Sequence, residues 1–94
     1  VTFAAAVFEG EADFDETRFD GDAEFSNVRF ESKVVFRGAE FTGESNHLED
    51  NVSFEGAYFG NDAEFDNTVF KSANFLDTEF SGRVDFSMRI RTSI

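Results

Sequence analysis

A chain of 94 residues with twenty acidic and eight basic side chains, net charge −12, has room for one domain and one small core. It has no Cys, which removes disulfide and thiol chemistry, and no apolar run approaches the ~20 residues of a membrane span. Its acidity argues against direct binding to nucleic acid or to an anionic membrane. No signal peptide is visible and the chain opens on Val1, as expected of a processed product or a piece of something longer. Its apolar supply is unusual, with fifteen Phe and no Pro or Trp.

In chain order those Phe residues form a repeat. The first units are Val1-x-Phe3, Ala6-x-Phe8, Ala12-x-Phe14, Thr17-x-Phe19, Ala23-x-Phe25, Val28-x-Phe30, Val34-x-Phe36 and Ala39-x-Phe41. After one step of 13 they resume as Val52-x-Phe54, Ala57-x-Phe59, Ala63-x-Phe65, Thr68-x-Phe70, Ala73-x-Phe75, Thr78-x-Phe80 and Val84-x-Phe86. All other steps are five or six residues, and Ala, Val or Thr stands two before every Phe. Repeats at fixed period signal a solenoid.

Side chains two apart on an extended chain share a face, so each unit aims its small residue and its Phe inward. The residues between are mostly polar: Asp13, Arg18, Glu24, Arg29, Glu40, Glu64, Glu79 and Asp85. Two positions after Phe come Gly10, Gly21, Gly38, Gly43, Gly56 and Gly82, with Asn27, Asn61, Asn67 and Asp77. Such residues tolerate positive φ, so the chain is expected to turn there. Short strand, corner, short strand makes a coil.

Units such as Ala63-Glu64-Phe65-Asp66-Asn67 and Ala73-Asn74-Phe75-Leu76-Asp77 resemble the pentapeptide-repeat family, from Val1 to Phe86. The resemblance implies an all-β, right-handed quadrilateral parallel β-helix of about four coils, with the Phe ladder stacked inside. The departure is a frequent sixth residue, such as Glu11, read as a one-residue corner bulge. The solenoid is expected over residues 1–86, with an inserted loop at about 42–51. Residues 87–94 read as a C-terminal cap or the start of a truncated segment.

Taking the step from Phe41 to Phe54 as one corner gives columns Phe3/Phe25/Phe54/Phe75, Phe8/Phe30/Phe59/Phe80, Phe14/Phe36/Phe65/Phe86 and Phe19/Phe41/Phe70. The added corner residues after the second column are then Glu11, Lys33, Asp62 and Arg83, expected to stack with alternating sign. The rival register puts Leu48 in the core as a sixteenth unit. Asn46 two residues before it breaks the pattern, so the loop is favoured.

Little here carries chemistry. His47 lies in the loop with Glu44, Leu48, Glu49 and Asp50, and the acids around it could hold a metal ion. No zinc-ligand spacing is present, so the loop reads as solvated surface. No nucleophile–base set and no phosphate-binding glycine loop is found, so no enzyme, metal or cofactor is expected. Asn51-Val52-Ser53 matches a glycosylation acceptor pattern that often arises by chance. Outward Tyr58, Val69 and Leu76 are scattered apolar residues.

The carboxylates are the stronger lead. One side carries Asp13, Asp15, Glu64, Asp66 and Asp85, interrupted by Val35 and Arg37, a candidate acidic interaction face. Family members that protect or inhibit DNA gyrase look like B-form DNA through such ladders of acids. The specific alternative is salt adaptation, because only two Lys accompany six Arg and twenty acids, a balance seen in high-salt cytoplasm. The expected role is a non-catalytic structural or protein–protein interaction module, a rigid acidic rod. Its alternatives are a DNA mimic on a type II topoisomerase, or end-to-end stacking into a dimer or filament. The partner expected is a protein of unknown identity, and the cytoplasm, that of a high-salt organism in the salt-adapted reading, is slightly favoured as the compartment.

Overall fold

The computed structural model describes residues 2–41, 52–70, 72–86 and 89–90. Each small-x-Phe unit leaves only enough extended chain between corners for a two-residue strand. The first coil holds Thr2, β1 (Val7–Phe8), β2 (Ala12–Asp13) and β3 (Arg18–Phe19). The second holds β4 (Ala23–Glu24), β5 (Arg29–Phe30), β6 (Val34–Val35) and β7 (Glu40–Phe41). The third holds β8 (Val52–Ser53), β9 (Tyr58–Phe59), β10 (Ala63–Glu64) and β11 (Val69–Phe70). The fourth holds β12 (Ala73–Asn74), β13 (Glu79–Phe80), β14 (Val84–Asp85) and β15 (Arg89–Ile90).

Successive coils pair in parallel on four sides. The sheets run β1-β5-β9-β13, β2-β6-β10-β14, β3-β7-β11-β15 and β4-β8-β12, with Thr2 bridging Glu24 on the last. This is the parallel β-helix that the family resemblance implied. Glu40–Phe41 pairs with Val69–Phe70, and Ala23–Glu24 with Val52–Ser53. The passage from Phe41 to Phe54 is therefore one corner, and the columns leave no rung for Leu48. Residues 42–51, including Glu44, His47, Leu48, Glu49 and Asp50, lie outside the described residues.

Within a column the rings stack at 4.6–5.3 Å between centroids, with planes 2–20° apart. Opposite columns meet edge to face across the middle, as Phe25 and Phe36 do at 5.6 Å and 88°. Both geometries suit the aromatic quadrupole. The eight rings from Phe25 through Phe70 are 0–1 % exposed, and Ala23, Val28, Val34, Ala39, Val52, Ala57, Ala63 and Thr68 fill the gaps beside them. Thr68 is a buried polar residue whose hydroxyl is satisfied, donating to the Phe36 carbonyl at 2.7 Å.

Two details differ from the sequence reading. Positive φ occurs at Ala5, Asn27, Gly56 and Asp77 after the first column, and at Glu16, Gly38 and Asn67 after the third. These are tight five-residue corners, closed by bonds such as Ala39 N–H to Phe36 O at 3.0 Å, and their third residue needs the left-handed region. Gly10, Gly21, Gly60 and Gly82 sit at the other corners without positive φ, because the extra residue there gives the chain room. The tail also differs. Ile90 pairs opposite Phe70, so the chain makes one more rung after a step of only four residues from Phe86. The rest of 87–94 lies outside the described residues.

Candidate interaction face

Strands β2, β6, β10 and β14 bring Asp13, Val35, Glu64 and Asp85 into one outward row. Phe14, Phe36 and Phe65 of the third column are followed at the corner by Asp15, Arg37 and Asp66, which form the adjoining row. The sheet thus gathers the five acids of the candidate face and also the two residues that interrupt it.

Those interruptions decide the electrostatics. Arg37 donates through Nη2 to Glu64 Oε1 at 2.7 Å and through Nε to Asp66 Oδ2 at 3.0 Å. Lys33 Nζ reaches Glu64 Oε2 at 2.8 Å. Glu64 is consequently held below its ordinary pKa, first by the Lys33 hydrogen bond and then by Arg37, against a partial burial that pushes the other way. Lys33 and Arg37 are both raised, each chiefly by the hydrogen bond to Glu64. Glu64 and Asp66 are acids within an ion-paired seam between the second and third coils. Asp13 and Asp15 sit on the far side of Arg37, where Asp15 N–H donates to Asp13 Oδ1 at 2.8 Å. The face is two acidic patches divided by a cationic step.

A shallow depression follows, lined by Arg37, Asp62, Glu64, Asp66, Arg83 and Asp85. Within it the Arg83 backbone N–H donates to the Asp62 carboxylate, Oδ1, at 3.0 Å. Asp66 Oδ1 is buried and has no hydrogen-bond partner among the described residues. Also among the described residues, no group of three or more His, Cys, Asp or Glu is placed to hold a metal ion. The arrangement can present a patterned charge surface to a partner; it offers no nucleophile beside a base.

The sequence reading missed two contacts. Lys33 stays in the column with Glu11 and Asp62 and feels both charges, but its ammonium leans to Glu64, because an outward side chain on the next coil lies within reach of its long stem. Arg29 lies over the Tyr58 ring at 4.3 Å, a cation–π pair between coils. Arg29 and Tyr58 are register partners in the favoured alignment, so this signal was available.

The four-sided parallel coil with an aromatic ladder defines a β-solenoid. A family model described as pentapeptide repeats (9 copies) matches residues 3–46 and 47–87, and the chain belongs to that family. Neither the curated proteins nor the solved structures contain a match to it.

Proposed function

We propose that this chain acts as a non-catalytic, rigid module that presents its ion-paired side to a protein partner. The observation that supports this most is the division of labour between inside and outside. The interior is filled by rings that are 0–1 % exposed in the middle coils, while the outward residues carry almost all the charge. Membership of a family of structural repeat proteins points the same way. A stiff scaffold with a fixed charge pattern is suited to holding partner groups at set spacings, since its side chains lose little further freedom on binding.

Topoisomerase inhibition by DNA mimicry fits less well. It calls for a continuous negative stripe, and here Arg37 and Lys33 are drawn into the middle of the row. Four coils at ~4.8 Å also span only about six base pairs of duplex.

The test is affinity capture on the immobilised chain, comparing wild type with Arg37→Glu and Asp13→Lys variants of unchanged circular dichroism. A partner retained by wild type and released by a face variant is the expected outcome. Equal capture by all three chains would reject this side as the docking surface. A turnover activity abolished by either change would reject the non-catalytic reading.

A further inference from the structure

The two ends of the solenoid are complementary, and the interior shows by what rule. After the second column, each coil donates to the coil before it: Glu31 N–H to Phe8 O at 2.9 Å, Gly60 N–H to Phe30 O at 2.8 Å, Ser81 N–H to Phe59 O at 2.9 Å. At the third column the direction reverses, with Phe14 N–H to Val35 O at 2.7 Å, Phe36 N–H to Glu64 O at 2.7 Å and Phe65 N–H to Asp85 O at 2.8 Å. One step past the fourth coil, the same rule takes Glu9 N–H of a second copy to the Phe80 carbonyl. It takes Phe86 N–H to the Asp13 carbonyl of that copy.

The rings obey the same logic. Phe3, Phe8 and Phe14 at one end and Phe75 and Phe80 at the other are only partly buried, and Phe86 is 42 % exposed. All belong to columns that stack without interruption inside. Charge selects the orientation. Residues 1–22 carry seven acids and one Arg, so two such ends repel, whereas residues 72–94 carry three acids and three Arg. The bulge column Glu11, Lys33, Asp62, Arg83 alternates in sign, and head-to-tail stacking continues it by setting Arg83 against Glu11 of the next copy. Two steps oppose it: in the same register Asp85 would face Asp13 and Arg89 would face Arg18, so docking is strongest where salt screens like charges.

We propose that a second copy of this chain docks head to tail, its first coil adding to the fourth as a fifth parallel coil. The contact is heterologous and leaves both outer ends open, so it propagates. An end face of four short strands is small beside the ~800 Å² per partner of standard interfaces, so assembly depends on concentration. The inference rests on the solenoid fold and not on the scaffold reading.

Glu9 and Ser81 provide the test. Both are exposed and occupy the same corner column on the first and last coils. In the docked pair their Cα atoms stand about 4.8 Å apart, within the ~4.4–6.8 Å that a disulfide spans. The chain has no Cys of its own, so Glu9→Cys and Ser81→Cys introduce unique thiols. Oxidised together at about 1 M salt, where the screening length is about 3 Å, the two variants are expected to give a covalent dimer. Either variant alone should give none above its level in denaturant, and a chain carrying both should give a ladder. A missing mixed dimer, or Ser81→Cys dimers as abundant as mixed ones, overturns the proposal. Light scattering of wild type adds a readout free of substitution: mass rising with concentration is expected, and a constant monomer mass overturns the docking. A folded monomer by circular dichroism would leave the scaffold reading standing.

Discussion

Phe36 and Phe86 share a column, follow the same small-x-Phe rule and both stack on Phe65, at 5.1 and 5.2 Å. Phe36 is fully buried and Phe86 is 42 % exposed. Nothing local to the two units accounts for this. Phe36 has a coil on each side, and the fourth coil has one on one side only. In a solenoid, burial is granted by neighbouring coils more than by a residue's own segment, so stability is a sum of interfaces between coils. The middle coils are the fold and the end coils are half-finished surfaces.

The largest expected effect tests that difference directly. Phe36→Ala should lower stability by about 3–5 kcal/mol, because it opens a cavity among stacked rings that cannot collapse. Phe86→Ala, already part exposed, should cost clearly less in the same denaturant titration. Equal losses would mean that the ends are as well packed as the middle and that the comparison is wrong.

A second pair sharpens it at the corners. Gly10 and Gly82 hold equivalent places on the first and fourth coils. A Cβ at Gly82 would lie 2.5 Å from the Asn61 carbonyl carbon and 2.7 Å from its oxygen, whereas one at Gly10 meets nothing within 4 Å. Gly82→Ala must displace backbone of the preceding coil and is expected to cost about 1–3 kcal/mol, in the range of overpacked sites. Gly10 has no preceding coil, and Gly10→Ala should be close to neutral. Thermal melts of the two variants side by side separate these outcomes.

The same contrast explains what was legible in the sequence. The path of the chain could be read because one residue type marks every rung but the last, Ile90, and the break in the pattern at Asn46 favoured the loop register over Leu48. Burial along the axis could not be read, since Phe36 and Phe86 have the same local pattern. Backbone conformation was legible only in part. Ala5 and Glu16 adopt φ of 62° and 55° with no glycine to announce it, because the coil stack imposes the corner on whatever residue arrives there. The candidate face was legible as a set of acids on one side, and not as a seam. Which way Arg37 and Lys33 lean depends on distances between coils that spacing does not encode.

Imposed strain gives a smaller effect of opposite sign. A non-glycine residue in the left-handed region costs roughly 1–2 kcal/mol, part of which a Gly returns through greater freedom in the unfolded chain. Glu16 is exposed, so Glu16→Gly is expected to raise stability by a fraction of that strain, about 0.5–1 kcal/mol in urea. A loss instead would show that the Glu16 side chain contributes more to the corner than its strain costs.

The smallest effect concerns the seam that joins the two middle coils, where Arg37 turns to Glu64 and Asp66 and away from the acids of the first coil. Glu64 is held below its ordinary pKa, mainly by the Lys33 hydrogen bond, so it is charged in the folded chain at pH values where the unfolded chain has begun to bind a proton. Its contribution to stability is complete above the unfolded pKa of about 4.3 and is lost as pH falls through the folded value. Glu64→Gln removes that proton uptake, so its stability should fall less steeply than wild type's below about pH 4.3. The two chains should run parallel at neutral pH, offset by the weak, solvent-screened worth of an exposed ion pair. Parallel curves below that pH as well would mean that the seam is ornamental, and that the ring columns alone hold the second coil to the third.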